Sequence, residues 1–415
     1  MEETDAAGST PLSPSEPAAS VPGEPAALAP DESAPPVPAE PACEPRRCRL
    51  GFTGSGEEYF RIWIVNLLLT IITLGIYSAW AKVRKMRYFY RNTQLDGSLF
   101  DYHGNPVAIL KGRILAVVLL VAYKLSVTLL GVAGLIAMAA SVAALPWLLA
   151  QSYRFRLHNS SYRGLRFRFA GPISQAYLIF GLPMVVVLAP AGVAALGLGS
   201  NGQKPDFRLF AALGLIYVIW TLGWPYLHFS FKRWQHGHAR YGTARSSFNA
   251  RARSFYGAYL LGLLMLIGTL IPVSILAGVI SVGTAAAGAQ RGGITVGLVV
   301  SMLLFYSAMI AVVPFVTARL QNKVWIGTRV ASVGFSSEVR ARRLIAITLT
   351  NLVMIVLSLG LLVPFAVIRL MKYKIESIEV LDADALSRFV AVGVDGSVGA
   401  AGEGAVDVLD LDFGL

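Results

Sequence analysis

Of the 415 residues, 55% are hydrophobic and 14% are charged, where a soluble domain averages about a quarter charged. The net charge of +12 is unevenly placed: residues 1–45 hold nine acids and no Lys or Arg, and residues 375–415 hold nine acids and one base, Arg388. The basic excess therefore lies in 46–374, beside long apolar runs, where it marks the inner side of a membrane; the composition excludes an ordinary soluble domain, and the pI is not a nucleic-acid signal.

Residues 1–45 are rich in Pro, Ala, Glu and Ser and cannot bury enough surface to fold, so they read as a disordered acidic tail. They lack the basic and apolar regions of a signal peptide, which predicts a cytoplasmic N-terminus. Cys43 and Cys48 at the end of the tail are too few for a disulfide framework and read as inert thiols.

The membrane domain, 46–374, opens with an unusual apolar segment, 63–81, basic on both flanks. Six clearer spans follow at 114–132, 134–150, 174–198, 208–229, 255–283 and 294–318, each long enough to cross a bilayer or nearly so. The short loops 199–207 and 284–293 face out by the positive-inside rule. The basic segments 151–173, 230–254 and 319–343 face in. A second unusual segment, 344–368, matches the first at a fixed offset: Asn66 with Asn351, Gly75 with Gly360, Arg84 with Arg369 and Tyr88 with Tyr373. A simple span does not carry positive charge at both ends, so both segments are expected to dip in and return, breaking at Gly75 and Gly360. Two arms of about nine residues reach ~14 Å, roughly half the hydrocarbon thickness. Their length also suits one full span.

The inward segments share a pattern. Asn92 is followed by Gly97, then Phe100 and Tyr102; Asn159 by Gly164, then Phe167 and Phe169; Asn322 by Gly327, then Val330. A degenerate copy runs through His238 and Tyr241. Asn and Gly suit tight turns with positive φ, and Phe167 and Phe169 alternate with Arg166 and Arg168 at the period of a strand. Each segment is therefore expected to form a β-hairpin, basic on one face and aromatic on the other. Together the hairpins are expected to form a small cytoplasmic β-cap onto which the acidic segment 375–415, ending in Asp407, Asp410 and Asp412, folds.

The run Asn66-Leu-Leu-Leu-Thr-Ile-Ile-Thr-Leu-Gly-Ile-Tyr-Ser-Ala-Trp-Ala-Lys-Val-Arg resembles the signature of the YjgN-like family of bacterial inner-membrane proteins. So do Asn159-Ser-Ser-Tyr-Arg-Gly-Leu-Arg-Phe-Arg-Phe and Asp407-Val-Leu-Asp410-Leu-Asp412. The resemblance covers about 48–415. It implies a multi-pass inner-membrane protein and no known activity. Ala79 stands where the family often has proline.

Three polar residues are candidates for an intramembrane site. Lys124 lies inside the first span, where an ionisable group is costly; it also reads as a snorkelling side chain. Asn66 and Asn351 sit beside the expected breaks, as transporter ligands do at repeat interfaces, or they hydrogen-bond helices together. Glu57 and Glu58 suit the dipole of the first helix. His236 and His238 form a His-x-His pair with no evident third metal ligand. No catalytic set, cofactor motif or metal spacing is legible.

The expected fold class is thus an α-helical polytopic membrane protein, with six spanning helices, two re-entrant or broken apolar segments and a small cytoplasmic β-cap of repeated hairpins. Its surroundings are membrane lipids, with a cytoplasmic protein partner as a further expectation and both termini cytoplasmic. Transport of a small molecule, ion or lipid leads; a scaffold that binds partners through the cap is the alternative, and a membrane enzyme is the weakest. Oligomeric state and energy coupling leave no mark in the sequence.

Overall fold

A computed structural model describes residues 46–129, 132–181, 183, 184, 186, 207–286 and 290–389. Its centre is one antiparallel sheet of eleven strands: β1 (Arg47–Arg49), β2 (Gly51–Phe52), β3 (Thr93–Leu95), β4 (Ser98–Tyr102), β5 (Ser160–Tyr162), β6 (Leu165–Phe169), β7 (Ala239–Tyr241), β8 (Ala244–Phe248), β9 (Thr328–Val330), β10 (Val333–Ser337) and β11 (Ile378–Leu381). The strand order is β1-β11-β10-β9-β8-β7-β6-β5-β4-β3-β2. Only Leu50 separates β1 from β2, so the two ends of this order meet in the chain and the sheet is nearly a barrel. The Leu50 amide donates to the Ile378 carbonyl at 3.1 Å, and the Thr53 amide to the Asn92 carbonyl at 2.9 Å.

Turn chemistry fixes the hairpins locally. Asp96 and Gly97 have φ of +48° and +71°, and Arg163 and Gly164 have +47° and +77°. Two consecutive positive φ values match the right-handed twist of the flanking strands in a two-residue turn. Register is then set by what faces inward. Leu95, Tyr162, Tyr241, Val333 and Val380 pack into one buried cluster, joined by Ala383, Ala385 and Leu386 of a 3₁₀ turn, Ala383–Arg388. The rings of Phe100 and Tyr162 stack at 4.6 Å, and those of Phe167 and Tyr241 lie 4.9 Å apart. The Tyr162 hydroxyl donates to the Leu95 carbonyl at 2.9 Å, and the Tyr241 hydroxyl to the Tyr162 carbonyl at 3.0 Å. The inside of the sheet is therefore a filled core.

Ten α-helices are present among the described residues: α1 (Gly56–Ile72), α2 (Ser78–Arg91), α3 (Pro106–Leu129), α4 (Val132–His158), α5 (Ile173–Ala176, continued by a π turn, Tyr177–Gly181), α6 (Phe207–Gly237), α7 (Ala252–Ala286), α8 (Gln290–Gly327), α9 (Ala341–Leu357) and α10 (Val363–Glu376). Even-numbered helices lead into the sheet and odd-numbered ones leave it, so every helix has one end at the sheet.

This corrects the expected fold class. The sheet has eleven strands and is close to a barrel, where a small cap was expected, because the outer strand of each hairpin pairs with the next hairpin and leaves no free edge between them. Among the described residues, three helices rather than six are long and apolar enough to cross a membrane: Ala211–Gly237, Ala252–Val279 and Val299–Gly327. The expected spans 114–132 and 134–150 fall in α3 and α4. Residues 130 and 131, where α3 and α4 meet, lie outside the described residues. Of the expected span 174–198, residues 187–198 lie outside the described residues, as do the tail 1–45 and residues 390–415.

Candidate functional site

Gly75 and Gly360 each lie between two helices, with φ of +91° and +90°. The chain reverses there: the Gly75 amide donates to the Thr70 carbonyl at 2.7 Å, and the Gly360 amide to the Ile355 carbonyl at 2.8 Å. Open space surrounds the place a Cβ would occupy at either glycine, so backbone conformation alone selects the residue. Leu74 and Leu359 at the tips are 94% and 95% exposed. The two bends belong to neighbouring helical pairs, since Phe60 of α1 meets Phe365 of α10 at 6.0 Å between ring centroids.

Asn66 and Asn351 are buried, each within its own pair. The Asn66 Oδ1 faces Arg84 Nη1 of α2 at 3.5 Å, and Asn351 Nδ2 donates to the Ala366 carbonyl of α10 at 3.0 Å. Lys124 is exposed on α3. None of the three lines either cavity considered below. Asn92 and Asn159 stand at the C-terminal ends of α2 and α4, where their side-chain amides donate to the carbonyls of Tyr88 and Phe155. Asn322 lies within α8 and holds the chain after β10: its Oδ1 accepts from the Val339 amide at 2.8 Å and its Nδ2 donates to the Val339 carbonyl at 3.0 Å. Gly327 ends α8 where a Cβ would sit 2.7 Å from the Ala250 Cβ; the positive φ of that hairpin belongs to Ala331.

A different set of side chains converges. A cavity of about 600 Å³ lies among α6, α7, α8 and α10. His228, Lys232 and His236, spaced by one helical turn, enter it from α6; Tyr259 comes from α7, Thr317 and Gln321 from α8, and Lys374 from α10. Its remaining wall is apolar: Leu263 and Leu266 on α7, and Met309, Val312, Val313 and Val316 on α8. The site is cross-tied. His228 Nδ1 and the Tyr259 hydroxyl are 2.7 Å apart, His236 Nδ1 lies 3.3 Å from Thr328 Oγ1, and Gln321 Nε2 donates to the Lys374 carbonyl at 3.3 Å. Lys232 Nζ donates to Gln235 Oε1 at 2.9 Å and lies 5.5 Å from the centre of the Phe231 ring. Burial pushes the pKa of Lys374 down from its ordinary value, because an ammonium out of water is disfavoured.

The described lining contains two lysines, two histidines, a tyrosine and a glutamine, and no Asp or Glu. Basic groups and hydrogen-bond donors predominate in that lining, so its chemistry suits an anion. Metal binding is poorly served: among the described residues there is no group of three His, Cys, Asp or Glu placed to hold a metal ion, and His238 turns instead to the Trp234 carbonyl, 3.0 Å from its Nδ1. A larger cavity, about 980 Å³, lies against α6 near Trp220 and Trp234. One of its walls reaches residue 186, where the described residues stop, whereas the lining residues of the smaller cavity, which is open on one side, all belong to described helices.

Sequence analysis did not single out Lys232 or Lys374 as a site. Each stands in a basic flank of an apolar segment, among cations that only orient the chain, and 142 residues separate them.

Long apolar helices with outward apolar faces, set on a filled sheet and holding a cationic cavity, define a membrane protein of unknown function. The chain belongs to the family described as "Bacterial protein of unknown function (DUF898)", whose profile matches residues 47–408. It is similar to proteins named "Inner membrane protein YjgN": one from Salmonella typhimurium is 33% identical over 145 residues, 34% of this chain and 36% of that protein. One from Escherichia coli is 31% identical over 139 residues, 33% of this chain and 35% of that protein. Another from Escherichia coli is 55% identical over 51 residues, 12% of this chain and 13% of that protein. These matches thus span little more than a third of the relatives' length at most, and they support an inner-membrane location. No solved structure matches.

Proposed function

We propose that the chain is a multi-pass inner-membrane transporter or channel for a small molecule, ion or lipid, and that its ligand enters the cavity among α6, α7, α8 and α10. The observation that carries this reading is the cavity's composition: charged at one end, apolar at the other, and walled by the three helices that suit a membrane. The filled sheet offers no passage through its centre, which supports a pathway beside it. In this reading the sheet lies on the cytoplasmic side with its basic segments. The two bends at Gly75 and Gly360 present the apolar, exposed Leu74 and Leu359 to hydrocarbon. The tips are exposed, so their backbone is answered within each bend, the Gly75 amide by the Thr70 carbonyl and the Gly360 amide by the Ile355 carbonyl, as hydrocarbon surroundings require.

The test is flux in reconstituted vesicles, read for ions, small organic anions and labelled phospholipid. Vesicles with the protein should pass at least one class faster than empty vesicles. Met309→Trp, which fills the apolar end of the cavity, should abolish the difference. Equal rates with and without protein for all three classes would overturn the reading.

A second reading is a scaffold that binds an acidic cytoplasmic partner. One observation favours it: Arg168, Arg240 and Arg245 are successive cross-strand neighbours on β6, β7 and β8. A row of like charges on neighbouring strands is a surface that an acidic partner complements.

A further inference from the structure

Resting on the reading of this cavity as a ligand site, we infer that its occupant is an anionic phospholipid, whose phosphate lies between Lys232 and Lys374 and whose acyl chain lies along α7 and α8. Both lysines line one cavity whose described lining has no carboxylate. A lining of that kind suits an anion, and phosphate oxygens accept ammonium donors well. Gln321, from α8, reaches the same end and already touches the Lys374 main chain.

The order of elements gives the cavity a direction. The helix α6 runs into β7, α8 into β9 and α10 into β11, so His236, Trp325 and Lys374 lie near the sheet. The helix α7 leaves β8, so Leu263 and Leu266 lie progressively farther from it, as Met309 does on α8. Charge is therefore concentrated at the sheet end, and the far end is hydrocarbon-like. A free phosphate or small polar anion gains nothing from that far end. An amphiphile gains on the order of 0.8 kcal/mol per buried CH₂. Ligand pockets of roughly 300–1,000 Å³ hold most of a small molecule, and about 600 Å³ accommodates a headgroup and the start of a chain. The rest of the chain would leave over the outer surface of α7 and α8, on which Leu264, Val279 and Leu303 are exposed.

The experiment is native mass spectrometry of the full chain released from nanodiscs containing phosphatidylglycerol and phosphatidylcholine, with inorganic phosphate added in a parallel arm. The wild type should retain phosphatidylglycerol over phosphatidylcholine. The double variant Lys232→Gln, Lys374→Gln should lose that retention by about tenfold or more, whereas Lys372→Gln, an exposed neighbour paired with Glu376 at 3.9 Å, should keep it. Unchanged retention in the double variant would overturn the inference. Displacement of the lipid by inorganic phosphate, with the same dependence on the two lysines, would replace the lipid with free phosphate as the ligand. A phosphatidylglycerol bearing a photoreactive chain, used on the wild type, gives a readout that does not depend on how the variants fold. Adducts should fall within 263–266 and 309–316, and adducts confined to other helices would contradict the site. Binding with no flux would retain this site and remove the transport reading; flux with no binding here would do the reverse.

Discussion

Gly75 and Gly360 adopt nearly the same backbone conformation, with φ of +91° and +90°, at the bends of two helical pairs that pack together through Phe60 and Phe365. Each is preceded by a leucine that is also left-handed, Leu74 at +49° and Leu359 at +50°. Placing a Cβ in that region costs about 1 kcal/mol, and no neighbouring atom adds to the cost. Gly75→Ala and Gly360→Ala should therefore each destabilise by about 1 kcal/mol. Gly257→Ala, inside α7 with equally open surroundings, should be neutral or stabilising by up to about 1 kcal/mol. Unfolding of the purified variants in one detergent measures all three. Equal effects would show that the bends do not need glycine.

The tips of the bends predict a depth. Spin labels at positions 74 and 359 should report hydrocarbon surroundings, protected from water-soluble relaxants added on either side of the membrane. Labels at 61 and 87, on the basic flanks, should be open to the same side as each other. Flanks open to opposite sides would mean that the first segment crosses the membrane.

Asp96 holds two arginines at the tip of the first hairpin, Arg46 at 3.0 Å and Arg163 at 2.8 Å. Asn tolerates the positive φ of this turn, so Asp96→Asn isolates the charge. It should lower the unfolding temperature in low salt, with a smaller effect in high salt because exposed pairs are screened. An effect independent of salt would point to the turn rather than the ion pairs.

The hydroxyl of Tyr241, bound to the Tyr162 carbonyl inside the sheet, makes a separate prediction. Tyr241→Phe leaves the ring packing and removes one buried donor, at a cost of about 1 kcal/mol. Denaturant unfolding followed by near-ultraviolet dichroism measures it; no change would mean that the carbonyl finds another donor.

The fold was partly readable and partly not, for physical reasons. Strand pairs formed by sequence-adjacent segments carry local signals: positive φ at Asp96–Gly97 and Arg163–Gly164, and aromatic alternation at Phe167 and Phe169. The union of Arg47–Arg49 with Ile378–Leu381 carries none, because a ladder between segments some 330 residues apart leaves no mark in either. Without it the sheet reads as a small cap. The same holds for the cavity. Lys232 and Lys374 are ordinary flanking cations in sequence, and only the path of α10 back beside α6 and α8 sets them together. Asn66 and Asn351 stood out because their segments match, yet each contacts the other arm of its own bend.

Acid should weaken the contact between α2 and the first hairpin. The Arg91 guanidinium, 2.9 Å from Asp101, holds that carboxyl below its ordinary value of 3.8. A depressed carboxyl contributes stability that is fully present above the unfolded value and is lost as pH falls through the folded one. Wild type and Asp101→Asn should therefore differ most above about pH 4 and converge below it. A constant difference across that range would show that the pair contributes nothing through its charge.

The most direct measurement of the central claim is an electron cryo-microscopy map of the protein in nanodiscs of native lipid, read in the cavity among α6, α7, α8 and α10. The account predicts elongated density with its head between Lys232 and Lys374 and its tail along Leu266 and Met309. A cavity closed by direct packing of α7 and α8 side chains against α6, with no room for a ligand, would contradict it.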